Sequence, residues 1–154
     1  MENPRDFVVE DFPIHLDIEA TNRCNLKCIF CDKLPYLSPD EFGDMGYGLY
    51  TRIIDEGSDK GLCSIKLSYR GEPLLHPRLS DMIAYARKKG ILDIYFNTNA
   101  MLLTELKSRA LIEAGLNRIS ISVEGTDEVA FEQARIGARF NQIKRNAETL
   151  LTLR

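Results

Sequence analysis

No run in the 154 residues approaches the ~20 consecutive apolar positions that a membrane-spanning helix needs. The opening stretch MENPRDFVVEDF is acidic where a secretion signal is basic and then apolar. Positive charge is not in excess either: 20 Lys and Arg stand against 23 Asp and Glu, a formal net charge of -3, without the basic clusters that phosphate recognition requires. The expectation is a cytoplasmic chain with no membrane and no nucleic-acid partner. A fourth cysteine near the other three is also missing. Cys24, Cys28 and Cys31 fall within NRCNLKCIFCD, while Cys63 stands far downstream. Structural disulfides are rare in the cytoplasm, so clustered thiols there read as metal ligands or redox groups. What the chain does have is 44% apolar content over one domain's length, enough to bury roughly two-thirds of its unfolded surface.

From Ile14 onward, β-rich runs alternate with stretches of helical period. IHLDIEA, CSIKLSYR, ILDIYFNTN and NRISISVEG read as strands. After Pro77, Leu79, Met82, Ile83 and Ala86 share one helical face, Arg87, Lys88 and Lys89 fill the last turn, and Gly90 ends it. Thr104 caps a second helix with a stripe of Leu106, Ala110, Leu111 and Ala114, ended by Gly115. Asn141 is expected to cap the last, with Ile143, Ala147, Leu150 and Leu151 as its buried face. A helix over about 47 to 60 follows the cysteines, its start weakened by Gly43, Gly46 and Gly48. Strand and helix in alternation predict parallel βαβ units.

Parallel strands covered on both faces are nearly continuous apolar runs, yet each of these four is polar at every other position. His15, Asp17 and Glu19 oppose Ile14, Leu16 and Ile18; Ser64, Lys66, Ser68 and Arg70 oppose Ile65, Leu67 and Tyr69. Tyr95, Asn97 and Asn99 oppose Ile94, Phe96 and Thr98; Ser120, Ser122 and Glu124 oppose Ile119, Ile121 and Val123. Helices then cover the apolar face alone and the polar face lines a lumen, which is the geometry of a barrel or part of one. An antiparallel sheet with one wet face would alternate in the same way, but its strands would be joined by hairpins rather than helices.

Three thiols within eight residues are compatible with zinc, with an iron-sulfur cluster or with coincidence. Structural zinc takes four ligands, usually as two cysteine pairs. Cys63 opens the second strand, whereas the cysteine loop follows the C-terminal end of the first, so a strand length of ~20 Å separates them. His15 fails as a fourth ligand for the same reason, and His76 follows a Glu-Pro turn with a role of its own. A 4Fe-4S cluster on three thiolates leaves one iron open for a substrate or cofactor.

Cys-x3-Cys-x2-Cys after a first strand resembles the signature of the radical S-adenosylmethionine (radical SAM) superfamily, and Cys24, Cys28 and Cys31 match it fully. Phe30 matches the aromatic position that the family places against the cofactor's adenine. RGEPLLHP after the second strand is similar to the family's Gly-Gly-Glu-Pro segment, which brings in Gly71, Glu72 and Pro73. The resemblance implies that Glu72 receives the methionine amino group. Arg70 replaces the first Gly, a departure that bears on the local backbone and the cavity. NTNA resembles the Thr-Asn-Gly element, with Asn97 and Asn99 on the lumen face and Ala100 where Gly is usual. SISVEG resembles the element that contacts the ribose, making Ser122 and Glu124 candidates. FEQARIGARFNQIKRN resembles the maturase-like (SPASM-type) segment in which an Arg meets the cofactor carboxylate, and the resemblance implies Arg135 for that role, one that a forked guanidinium suits.

Covering about residues 14 to 153, the resemblance implies a partial TIM-like barrel of the six-strand type, of which about four strands fall in this sequence. Residues 1–13 are expected to be a lead-in and 14–154 a core domain truncated at its C-terminal end. The implied activity is reductive cleavage of S-adenosylmethionine by a 4Fe-4S cluster. The 5′-deoxyadenosyl radical so released abstracts hydrogen from a peptide or small-molecule substrate. A reductant such as flavodoxin or ferredoxin is the implied electron source, and a missing barrel portion or a second chain is the expected neighbour of the fourth strand. The competing reading is a non-catalytic zinc or iron-sulfur module, structural or electron-transferring, for which Glu72 and Arg135 would have no use.

Overall fold

A computed structural model describes residues 12–31, 38–125 and 127–153, so the expected lead-in lies almost wholly outside it. Along the chain come β1 (His15–Asp17), β2 (Lys27–Cys28), α1 (Tyr47–Asp59), β3 (Ser64–Lys66), α2 (Leu79–Lys88), β4 (Asp93–Thr98) and α3 (Glu105–Glu113). They are followed by β5 (Arg118–Ile121), α4 (Glu128–Ala134), β6 (Arg135–Ile136) and α5 (Phe140–Thr152). β1, β3, β4 and β5 pair in parallel in that order, as expected for successive βα units. No helix of the described residues is long and apolar enough to cross a membrane.

The alternation sorts the two faces of this sheet. Ile65, Leu67, Ile94 and Phe96 are fully buried against Tyr50 and Ile54 of α1 and Met82, Ile83 and Ala86 of α2. On the other face the polar residues satisfy one another at the N-terminal end of the strands. His15 lies 2.9 Å from both Ser64 and Asp17, Lys66 donates to Asp17, and Ser64 and Arg118 donate to Asp93. Arg118 also stacks 4.0 Å above the Tyr95 ring. This ladder occupies the N-terminal end of the polar face and leaves the C-terminal ends of the strands for other work.

The strands are shorter than the sequence runs, because side chains take over the backbone bonds at their ends. Ser68 Oγ accepts from Asn97 N, and Glu19 accepts from both Arg70 N and Gly71 N. Ile14, Tyr69 and Val123, expected on the apolar face, lie beyond the ladder and are largely exposed. Leu106 and Leu151 are also exposed rather than part of their helical stripes. Asn141 does not cap α5: the N-cap is Arg139, and Asn141 sits in the first turn donating to Glu128. Glu132 of α4 accepts from Phe140 N, so the helix start is capped from a neighbouring element. Thr104 does cap α3, accepting from Lys107 N, and Gly90 closes α2 at φ +88°, a region that L-residues avoid.

One element has no counterpart in the sequence pattern. β2 and β6 form a two-residue antiparallel ribbon that sets Cys28 directly opposite Arg135.

Candidate metal and cofactor site

A cavity of about 250 Å³ opens at the C-terminal ends of the parallel strands. Cys24, Cys28 and Cys31 line it, together with Phe30, Gly71, Glu72, Asn97, Asn99, Ser122 and Arg135 from the sequence-derived set. Pro73 and Glu124 are not among the residues that line it. Pro73 opens the short 3-10 turn that Glu72 caps, and Glu124 is bonded to Arg135. Among the described residues no three His, Cys, Asp or Glu side chains are gathered tightly enough to hold a single metal ion. The thiols instead line the cavity at separate points, Cys24 exposed and Cys28 and Cys31 half-buried.

The cysteine loop is clamped onto the loop after β3. Glu72 N donates to Arg23 O at 2.7 Å, and Arg23 forks onto Asp44, tying down the same segment from the far side. Gly71 passes so close that a Cβ there would lie 1.8 Å from Thr21 O. Glycine at 71 is thus a packing requirement. Arg70, in contrast, is not in the left-handed region, and its backbone N–H rests on Glu19, so a side chain is accommodated without strain. Ala100 is the residue that carries strain, with φ of 57° where the family's usual Gly would be free of it.

Glu72 is 2% exposed, and its carboxylate accepts from Leu74 N, Thr98 Oγ1 at 2.6 Å and Asn99 N at 2.8 Å. A carboxylate offers about four lone-pair positions, so about one remains for a ligand. Burial pushes this carboxyl above its ordinary 4.5, while the donors from Thr98, Asn99 and Leu74 pull it back. Because the folded value is the higher one, folding takes up a proton here. The stabilising contribution is full below pH 4.5 and is lost as pH rises through the folded value. In thermal unfolding of the metal-free chain from about pH 4 to about pH 7, Glu72→Gln should therefore gain relative to wild type as pH rises. A constant difference in Tm would show that Glu72 does not titrate in this window.

Arg135 is 7% exposed and forks Nε and Nη2 onto the Glu124 carboxylate, holding it below the usual carboxylate range. Its Nη1 points to Cys28 Sγ at 3.8 Å, and the rings of Phe30 and Phe131 flank it at 5.3 and 5.7 Å. Burial pushes the Cys28 thiol up, and the guanidinium opposes that. Asn99 Nδ2 donates to Asn25 Oδ1 at 2.9 Å and reaches Cys24 Sγ at 3.9 Å.

His15 and His76 are engaged elsewhere, His15 in the lower ladder and His76 with Met45 O and Arg78 N. Cys63 sits just before β3, at the opposite end of the sheet from the cysteine loop. Thr98, apolar-facing by strand period, instead buries a hydroxyl that holds Glu72, a role sequence reasoning missed. That reasoning also missed Glu19, whose position at the end of a polar strand face was the available signal.

The radical SAM superfamily pattern matches residues 18–153, and the chain belongs to that superfamily. It is 32% identical over 138 residues to a probable GTP 3′,8-cyclase of Methanococcus maripaludis, covering 85% of this chain and 43% of the relative. It is 35% identical over 113 residues to the tungsten-containing aldehyde ferredoxin oxidoreductase cofactor-modifying protein of Pyrococcus furiosus, covering 71% of this chain and 30% of that one. The chain thus spans less than half the length of these relatives. Among solved structures, anSMEcpe with bound AdoMet superimposes with a TM-score of 0.75 at 22% identity over 91% of this chain and 41% of that one. Streptococcus suis SuiB bound to S-adenosylmethionine gives 0.74 at 20% identity, covering 92% and 30%. The four-stranded parallel sheet with its helices is the partial TIM-barrel core of the superfamily.

Three thiols lining one cavity, a cation beside one of them and a buried carboxylate with a spare acceptor site suit a thiolate-held 4Fe-4S cluster and an amino-acid-bearing cofactor.

Proposed function

We propose that the chain holds a 4Fe-4S cluster on Cys24, Cys28 and Cys31, and S-adenosylmethionine beside it. The observation that carries this reading is the shared cavity. Residues as far apart as Cys28 and Arg135, 107 positions, meet there around opposite charges suited to an amino group and a carboxylate. Glu72 receives the ammonium at its remaining lone pair. Arg135, held by Glu124, turns its Nη1 edge toward the ligand carboxylate. Phe30 stacks on the adenine, Asn97 and Ser122 face the ribose hydroxyls, and Glu124 serves the site through Arg135. When bound, cluster and cofactor supply one-electron cleavage to a 5′-deoxyadenosyl radical that takes hydrogen from a peptide or small-molecule substrate. A flavodoxin- or ferredoxin-type protein supplies the electron. Both substrate classes have support: a cyclase acting on GTP among the relatives, and a neighbour solved with a bound peptide.

Titrating S-adenosylmethionine into the iron-loaded chain should perturb the electron paramagnetic resonance signal of the reduced cluster. Glu72→Ala should keep its iron but need about tenfold more cofactor, since it loses one hydrogen bond to a charged group, worth about 1.4 kcal/mol or more. An unaltered titration would remove Glu72 from the site. Stoichiometric zinc with no iron uptake would overturn the whole reading.

Among the described residues β5 pairs on one side only, with β4, and its free edge flanks the cavity wall at Ser122. Unpaired strand edges attract partners. A further βα unit or a second chain covers this edge and completes the wall that keeps water and stray hydrogen donors from the radical. The 154-residue chain should therefore form 5′-deoxyadenosine without matching product, and a chain extended past Arg154 should couple the two. Coupled turnover by a monomer of these residues alone would refute the missing wall.

A further inference from the structure

Arg135 and Asn99, both lining the cavity, also aim N–H donors at cysteine sulfurs, at Cys28 and Cys24 respectively. Arg135 does so by construction. In an antiparallel pair, side chains directly opposite project to the same face, and the β2–β6 register sets Arg135 opposite Cys28. Glu124 occupies Nε and Nη2, so the remaining edge, Nη1, is the one that meets Cys28 Sγ at 3.8 Å. Phe30 and Phe131 flank the guanidinium and limit its screening by water.

Asn99 is oriented just as firmly. Its Oδ1 accepts from Met101 N at 3.0 Å, which leaves Nδ2 facing Asn25 Oδ1 and Cys24 Sγ. The sulfur contacts are long for neutral thiols. Metal-bound thiolates carry charge and are stronger acceptors.

We infer that Arg135 and Asn99 are positioning residues that set the reduction potential of the cluster, through Cys28 and Cys24 respectively, with Glu124 as the counter-charge that moderates Arg135. This rests on the cluster assignment made above. Reduction adds negative charge to the cluster, and donors or positive charge at its sulfurs stabilise the reduced form. Removing Arg135 or the Asn99 donor lowers the potential. Neutralising Glu124 leaves the guanidinium charge unopposed and raises it. A purely structural role predicts no such reversal of sign.

The test is a redox titration of the iron-loaded chain without S-adenosylmethionine, following the reduced cluster by electron paramagnetic resonance, with iron content measured on each sample. At the poise where wild type is half reduced, Arg135→Gln should lower the reduced-to-oxidised ratio about tenfold, about 59 mV for a one-electron couple. Asn99→Leu should lower it by less, and Glu124→Gln should raise it. If Arg135→Gln loses its iron, the other two variants decide, because they must still shift in opposite directions. Iron-loaded variants that titrate like wild type, or that all shift the same way, overturn this inference and leave the cluster assignment standing. A wild-type chain that takes up no iron overturns both.

Discussion

A chain carrying Cys24→Ala, Cys28→Ala and Cys31→Ala is expected to take up no iron on anaerobic reconstitution, whereas Cys63→Ser takes up as much as wild type, about four per chain. The fold should not be what fails. Cys24 is exposed and Cys28 and Cys31 are half-buried, Cys28 alone of the three packing against the core, so shortening them removes little packed area beyond that one sulfur, and substitutions outside the core mostly stay within about 0.5 kcal/mol each. Unchanged circular dichroism and Tm of the metal-free triple variant would establish that lost iron reports lost ligands. Cys63 is the internal control. Its thiol contacts Gly61 O at the start of β3, while the three others line a cavity at the far ends of the strands. Loss of the cluster on Cys63→Ser would mean that a fourth thiol reaches it and that the open coordination position does not exist.

Gly71→Ala should be the most damaging single methyl group in the molecule. The added Cβ would stand 1.8 Å from Thr21 O, 2.7 Å from Thr21 C and 2.9 Å from the Asn22 Cα. All three are backbone atoms, so no side chain can swing away to make room. Overpacking against a fixed neighbour costs about 3 kcal/mol or more, compared with the few tenths that an exposed Gly-to-Ala change involves. The strain lands on the segment leading into Cys24 and on the Glu72 N to Arg23 O bond that clamps it. Iron uptake should therefore fall along with Tm. Gly43→Ala serves as comparison, since nothing lies within 4 Å of a Cβ there. A Gly71→Ala chain as stable as Gly43→Ala would show that the two loops are not in the contact described.

Much of the fold was legible because it depends on local periodicity. A period of two with one polar face identified each parallel strand, and a period near 3.6 ending at Gly90 identified α2, whose buried Leu79, Met82, Ile83 and Ala86 are those the spacing selects. The helix after the cysteines, expected over about 47 to 60, is α1 at Tyr47–Asp59. Where reading by period failed, a neighbour in space had taken over a local role. Asn141 looked like a cap, but Glu132 of α4 performs that function for α5. Leu106 and Leu151 fit their stripes, yet among the described residues no element covers them and they stay exposed.

By itself the sequence determined the thiol spacing, the alternation that makes a one-sided parallel sheet, and the residue types at the strand ends where a barrel builds its site. Those properties reside in the order of neighbouring residues. Only the tertiary structure decided what those residues do to one another. It placed Arg135 against Cys28 through a ribbon of two residues per strand, too short to leave a periodic trace. It turned Thr98 from a core position into the donor that holds Glu72, and it made Gly71 indispensable by running a distant carbonyl past it. Contacts between residues tens of positions apart depend on how the loops pack at the ends of the strands, and local pattern carries no record of that packing.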